Sequence, residues 1–575
     1  MKRKTTICFI LLLLSFAALP VGAQEQAAFV IPPQFEMAGP FCEGLACITV
    51  NGRDGFLNES GQITIPIQYD LASDFQNGRA VVQKDGKYGM VDRDGNACVP
   101  IQYTQMDVEF EPGTPIYAEY NGKFGFIDET GKTVIPFIYS NVNMIGFNEG
   151  LCGVQADGPY GFINEKGETV IPFDIRFAGH FKEKVAQVHN GDKWGLMTRD
   201  GTVPLGYIFD EIGWSMNESV IAVCKDGKWA LSNGNEMLTE FKYDGFDMYM
   251  AEGLISALKE DKWGYLDNQG KEAIPCRYES ASRFSEGLAA VSQNGKYGFI
   301  DRGGKLVLPF TYDGADSFWK GICAVNQNGK WGLIDRDGEV IVPFRYDAIS
   351  NTGGTLLAAA YNNAWGYIYN PTSKEPSPKP VPENPQIEAM LPSKWARSEV
   401  AEAFANNLAD QTMRGEYDKD VTRAEFCKLT IRLIEQHNQM HIFDILEERG
   451  LRIETGGFWD TIDETVLAAR ALGIVSGEGN GRFRPDDAVT REEAAVMLAR
   501  SLQVLRIPVP PMDSVTFIDE SDCSAWAAES IRQVSGRLKT GLYGEDENRF
   551  YPKGHYTREQ ALVVMVRLFK TISGT

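Results

Sequence analysis

The stretch Asn294-Gly295-Lys296-Tyr297-Gly298-Phe299-Ile300-Asp301 decides the fold, together with Leu306-Val307-Leu308-Pro309, Tyr312-Asp313, Phe318 and Gly321-Ile322-Cys323-Ala324-Val325 just beyond it. Asn-Gly is a tight-turn signal, because both residue types tolerate positive φ. The runs between such turns are short, β-branched and aromatic, which favours strands over helices. Pro309 cannot donate to a ladder and belongs at a strand end or a sheet edge. The pattern recurs. Aromatic-Gly dipeptides stand at Tyr88-Gly89, Phe124-Gly125, Tyr160-Gly161, Trp194-Gly195, Trp263-Gly264, Tyr297-Gly298, Trp331-Gly332 and Trp365-Gly366, and the degenerate Asp54-Gly55 and Trp229-Ala230 keep the phase. The steps run 34, 36, 36, 34, 35, 34, 34, 34 and 34 residues, which makes ten registers.

Three to four short strands per unit cannot bury a core alone, so stability has to come from stacking on neighbours. Residues 28–370 are therefore expected to form an all-β repeat array, a solenoid or superhelical stack of short antiparallel strands. A closed propeller is the alternative, ranked second because ten blades exceed the usual four to eight. The row of aromatics has two readings. The rings could stack on sugars, or the glycine could let each ring pack closely against neighbouring backbone as core.

The 575-residue chain carries 56 basic and 78 acidic side chains, a net charge of −22, which disfavours nucleic acid and anionic lipid as partners. Lys2, Arg3 and Lys4 precede an apolar run from Ile7 to Leu19, and Val21-Gly22-Ala23 offers a cleavage site. Residues 1–23 read as a signal peptide, and the exported chain is expected not to insert into a membrane. Nine cysteines beyond it are odd in number and form no C-x-x-C pair, which argues against a disulfide framework or a zinc site. Cys47, Cys152, Cys224 and Cys323 fall in apolar strand-like runs and read as small buried hydrophobes.

Residues 371–385 begin a proline-rich stretch expected to be an extended spacer. Beyond it the apolar period becomes helical, as in Val400, Phe404 and Leu408. Three boxes recur there: Thr422-Arg423-Ala424-Glu425, Thr490-Arg491-Glu492-Glu493 and Thr557-Arg558-Glu559-Gln560. Thr followed three residues later by Glu or Gln is a capping box. That explains the Thr and the acid but not the Arg, a cation at the helix start where the macrodipole disfavours it. The arginines point to an anion that would also meet the helix N–H groups.

The first repeat resembles the WG-type β repeat of bacterial surface proteins. The second set, with Phe517, Asp519, Trp526, Phe550 and Pro552, resembles the S-layer homology (SLH) domain, in copies at 386–440, 456–505 and 515–572. The first copy is divergent: it has Glu388 where the family's Asp would fall and lacks the Phe-x-Pro segment. The second has Leu467 in place of Trp. The resemblance implies an all-α, pseudo-threefold module whose grooves bind secondary cell-wall polysaccharide, often with acidic pyruvyl groups. Carried over by position, Arg423, Arg491 and Arg558 face the anionic substituent, Asp460 and Asp519 the sugar hydroxyls, and Trp395 and Trp526 form apolar walls.

His437 and His441 have helical zinc-pair spacing, but Asn438 stands where H-E-x-x-H needs its Glu. No catalytic residue, metal or cofactor is assigned. The expectation is a secreted, non-enzymatic protein of the cell wall or S-layer, anchored through its helical module and displaying the array as a binding or spacer element for a protein or glycan. A structural S-layer component and a glycan-active enzyme are the rivals.

Overall fold

The computed structural model describes residues 29–217, 220–247, 249–350, 352, 354–454, 456–508, 517–538 and 549–573. The expected signal peptide lies outside the described residues. Two compact units part at Glu383 and Asn384.

Ten antiparallel sheets follow one another in the first unit. Residues 294–301 lie in one built from Ser280–Ala281, Leu288–Gln293, Lys296–Asp301 and Leu306–Tyr312, hydrogen-bonded in that order. Gln293 pairs with Lys296 across Asn294-Gly295, whose φ values of 53° and 71° give the two-residue turn that suits strand twist. The Asp301 carboxylate then accepts from the N–H groups of Gly303 (3.0 Å) and Lys305 (2.9 Å) and folds the next turn.

The glycine of the aromatic-Gly pair has a steric cause. Tyr297 pairs with Tyr312 and Phe299 with Leu308, and the register shifts between them. The bulged backbone crosses over Gly298, where a Cβ would stand 2.7 Å from the Leu308 carbonyl oxygen. At Gly332 the same contact, with Val342, would be 2.5 Å. The sheet of Trp229-Ala230 has only Glu211–Asn217, Val220–Lys225 and Lys228–Ser232, and an irregular segment takes the place of the fourth strand, with Tyr243 bridging to Trp229 and Met237 to Ser232. The rings themselves pack: Phe124 and Tyr160 are buried, and Trp194, Trp229, Trp263, Tyr297 and Trp331 lie half-buried against apolar clusters.

Those clusters sit between sheets. Leu288, Phe299 and Leu308 of one sheet meet Phe318, Cys323, Val325 and Ile334 of the next. A recurrent ring pair marks several of these seams, as in Phe56–Phe75 (4.7 Å), Phe126–Phe147 (4.8 Å), Tyr265–Phe284 (4.8 Å) and Phe299–Phe318 (5.0 Å). Polar links run alongside. Lys330 pairs with Asp347 of the following sheet at 2.6 Å, and Lys296 pairs likewise with Asp313. Glu286 accepts from the Gly321 N–H one sheet further on, at 3.0 Å.

The array closes. Phe29–Phe35 pairs antiparallel with Ala364–Tyr369, Phe29 opposite Ile368 and Phe35 opposite Trp365, and becomes the fourth strand of the last sheet. Tyr367 of that sheet donates its hydroxyl to the Gly39 carbonyl (2.9 Å) and packs on Phe41 (4.8 Å) in the first sheet. The unit is thus a ten-bladed β-propeller, and the open solenoid or superhelical stack expected from the repeat gives way to the alternative. Closure removes two exposed sheet ends that an open stack would leave.

The proline-rich stretch is laid against this unit in part. Val381 donates its N–H to the Val30 carbonyl at 2.8 Å, and the Tyr369 hydroxyl donates to the Glu375 carbonyl at 2.8 Å. Cys152, Cys224 and Cys323 are buried and Cys47 is half-buried, all as free thiols.

The second unit is helical: α1 (Pro385–Glu388), α2 (Arg397–Ala405), α3 (Arg423–Asn438), α4 (Ile442–Glu448), α5 (Glu464–Ala471), α6 (Arg491–Val504), α7 (Ala528–Leu538) and α8 (Arg558–Ser573). The long helices α3, α6 and α8 each follow one of the three boxes. The shorter α5 packs on α3, α7 on α6 and α2 on α8, a cyclic order in which each copy's first helix docks on the long helix of the copy before it. One apolar core, including Phe426, Leu498, Phe483, Phe550 and Leu562, runs through all of them. His437 and His441 do not share a helix face, because α3 ends in a left-handed Gln439 and His441 instead caps α4 with its Nδ1.

Candidate functional site

The three boxes meet at the centre of the helical unit. Asp420 bridges to Thr557, Thr422 to Ala488 and Thr490 to His555, each as an isolated antiparallel pair. Thr422 and Thr490 form full capping boxes with Glu425 and Glu493, and Thr557 and Gln560 exchange the same two bonds at 3.2 and 3.3 Å.

The helix-start N–H groups are used within the protein. Arg423 and Ala424 donate to the carbonyls of Asp487 and Pro485, Arg491 and Glu492 to Gly554 and Pro552, and Arg558 and Glu559 to Lys419 and Tyr417. Each long helix is therefore capped by the loop of another copy. Those loops share one left-handed residue: Glu416 (φ 49°), Arg484 (φ 60°) and Tyr551 (φ 55°). The first copy keeps this backbone with Gly415-Glu416-Tyr417 although it lacks Phe-x-Pro.

Arg423 and Arg491 are buried and Arg558 is half-buried. Arg423 is 8% exposed, donates Nε to the Phe483 carbonyl (2.9 Å) and pairs with Glu493, the capping acid of the next copy. Arg558 pairs at 2.5 Å with Glu425, the capping acid of the first copy. Arg491 is 6% exposed and lies over the Tyr556 ring at 4.6 Å. Burial pushes the Tyr556 hydroxyl up to about 12, and Arg491 pulls the other way. The position equivalent to Glu493 and Glu425 is here Gln560, so this third joint lacks the capping acid of the other two. Joining copies is thus an occupation of these arginines that reading each box alone did not reveal. Its sequence signal was the variation Glu425, Glu493, Gln560 at the cap.

Asp460 and Asp519 hold the loops. Asp460 accepts from the N–H groups of Phe483 (2.8 Å) and Arg484 (2.8 Å), and Asp519 from Phe550 (2.9 Å) and Tyr551 (2.8 Å). Burial alone would raise the Asp460 carboxyl, but the two N–H bonds outweigh it and hold it below the usual range. Glu388 pairs with Arg397 (2.7 Å).

Trp395 and Trp526 are the exposed members, at 54% and 59%. Each stands two residues after a serine gripped by a buried acid at the second position of a long helix. Glu559 accepts from Ser393 N–H (2.8 Å) and Oγ (2.9 Å), and Glu492 from Ser524 N–H and Oγ (both 3.0 Å). Lys553 joins the second set through Glu492 and the Ser524 hydroxyl. The third equivalent joint has Ala424, Thr465 and a buried Leu467, so it has neither the acid nor the indole. Sequence reading missed Glu492, Glu559 and their serines, and also Trp459, which is 69% exposed beside Asp460.

Among known families, the WG containing repeat matches residues 25–53, 55–88, 124–158, 160–194, 194–229, 263–297, 297–331 and 331–363, and the S-layer homology domain matches 456–495. The chain carries WG repeats and an SLH domain. Eight of the ten expected registers and one of the three expected helical copies are matched. It is similar to an amylopullulanase of Thermoanaerobacterium thermosulfurigenes, 27% identical over 180 residues, 31% of this chain and 9% of that one. An exoglucanase XynX of Acetivibrio thermocellus is 26% identical over 180 residues, 31% and 16% of the two chains. A surface layer protein of Brevibacillus choshinensis is 28% identical over 106 residues, 18% and 9%. The chain thus spans only 9% to 16% of the length of these relatives. The SLH domain and the surface-layer relative imply association with the cell surface. No helix among the described residues is long and apolar enough to cross a membrane.

Proposed function

We propose that the helical unit is a non-covalent anchor to an anionic cell-wall polysaccharide, that 386–440, 456–505 and 515–572 act as three SLH copies, and that the propeller is the displayed element, a scaffold for a protein or glycan ligand. The observation that carries this reading is the pair of exposed indoles, Trp395 and Trp526, set in equivalent places and each fixed by a buried acid–serine grip. An exposed indole is a stacking platform for a sugar ring. The joint that contains Ala424 and Leu467 is the weakest of the three for glycan. Arg423 and Arg558 brace the copies through Glu493 and Glu425.

The test is co-sedimentation of the full chain with purified walls. The chain should pellet with walls that bear the polysaccharide and stay in solution once it is chemically stripped; equal pelleting on both would refute a glycan anchor. The double substitution Trp395→Ala with Trp526→Ala should abolish pelleting without altering the melting curve. Arg558→Ala is a poorer probe, because it also breaks the joint with Glu425.

A further inference from the structure

Each helical copy holds a single tryptophan, and all three are exposed: Trp395, Trp459 and Trp526. Two of them follow a gripped serine. The second copy has the buried Leu467 at that place, and its indole stands eight residues earlier, where the third copy has Ile518. The Trp459 N–H donates to the Gly481 carbonyl at 3.0 Å, which fixes this residue to the loop ahead of the second box. Gly481 is left-handed, with φ 80°, and a Cβ there would stand 3.4 Å from the Trp459 Cδ1, so the edge of the indole meets bare backbone. The Arg482 guanidinium lies over the ring, 5.8 Å from its centroid. Its Nε is 3.6 Å from the carboxylate of Asp460, the residue that grips the same loop, and the Arg482 side chain is half exposed. The indole thus meets a glycine and a guanidinium and still presents most of its surface to solvent.

We propose that Trp459 and Arg482 form a third sugar-binding site of the anchor, in which a sugar ring of the wall polysaccharide lies on the indole and an oxygen at the edge of that ring accepts from the guanidinium. The apolar C–H face of a sugar suits an aromatic face, and the planar fork of N–H donors suits paired oxygens beside it. This site rests on the anchor reading and extends it. The copy whose own joint lacks both acid and indole contributes through its loop instead. Several modest sites on one polymer act together, so losing one weakens the whole attachment.

The experiment is co-sedimentation of the full chain with increasing amounts of purified wall, reading the amount that gives half-maximal pelleting. Trp459→Ala should raise that amount about threefold to tenfold. Trp459→Phe keeps a ring and should raise it less, and Arg482→Gln should raise it as well. Ile518→Ala, the matching change in the third copy, should leave it unchanged. All four variants should melt like the parent, because the altered side chains are exposed. Unchanged pelleting of Trp459→Ala or of Arg482→Gln, an equal loss with Ile518→Ala, or a loss that follows a fall in melting temperature would each overturn this site and leave the anchor standing. A parent chain that does not pellet with walls would overturn the anchor and this site together.

Discussion

In the propeller, copies are joined by a large apolar seam and by charges that stay near water, such as Lys330 with Asp347, whose side chains are 45% and 31% exposed. In the helical unit the joining charges are inside, as in Arg423 with Glu493 at 9% and 22%. Ten seams share the load in one unit and three joints in the other. The difference teaches where a repeat protein tolerates variation. A rim ion pair in high dielectric can be lost at one blade with little effect, whereas a buried pair broken on one side leaves an uncompensated charge. The divergence seen in the two units follows this division. The two blades whose sheets begin at Phe177 and Glu211 lack a regular fourth strand yet keep their place, while in the helical unit the divergent first copy still preserves the left-handed loop that caps another helix.

The largest expected effect tests closure itself. Deleting Phe29–Phe35 should abolish cooperative melting of the propeller and open it to protease, and a sharp transition at the original temperature would mean the ring does not need its seal. Next come two substitutions of similar size in the two units. Gly332→Val should cost about 3 kcal/mol, because its side chain meets the Val342 carbonyl, whereas Ala230→Gly, which removes a methyl group its blade already accommodates, should cost less than about 1 kcal/mol. Arg423→Ala should cost about 3 kcal/mol by denaturant unfolding of the helical unit.

An intermediate effect comes from Asp107, a buried charge in a unit that otherwise keeps its joining charges near the surface. Burial, with the nearby Glu109 charge adding to it and the Glu109 N–H opposing, raises this carboxyl from 3.8 to about 6. The folded state holds the proton more tightly than the unfolded one, so this group's cost appears as pH rises from about 4 to about 6 and is complete above that. Asp107→Asn should therefore stabilise at pH 7 by about 2 kcal/mol and not at pH 3.5, as read by melting at both pH values. The smallest effect is Lys330→Ala, which should leave the melting temperature unchanged within error. A large drop there would erase the distinction between rim and interior.

Strand order, turn chemistry and the count of blades were legible because they are local: Asn-Gly, the bulge-covered glycine and the edge proline each act within about 15 residues. Closure was ranked second to an open stack, although its sign is present. Phe29-Val30-Ile31-Pro32-Pro33-Gln34-Phe35 has the form of a fourth strand without the three before it, and the array stops after Trp365-Gly366 without a fourth. The two incomplete ends complement each other, but a contact across more than 330 residues leaves no periodic signal. In the helical unit the capping boxes were legible as local motifs, yet the partners of Arg423 and Arg558 lie in other copies. The indoles of Trp395 and Trp526 could be placed by resemblance, while the acids that fix the chain beside them could not.

The sealing strand also sets a schedule. Phe29–Phe35 is made first among the blades and finds its partner only when Ala364–Tyr369 exists, a wait on the order of tens of seconds at ordinary rates of synthesis. An unpaired apolar strand during such an interval is an invitation to pair with another chain. Pro32 and Pro33 remove two consecutive N–H donors from it, so it makes a poor template for anything except the bulged seat over Gly366, where a Cβ would stand 2.6 Å from the Ile31 carbonyl oxygen. The prolines that make the strand fit its seat therefore also act as its chaperone while the rest of the ring is being built.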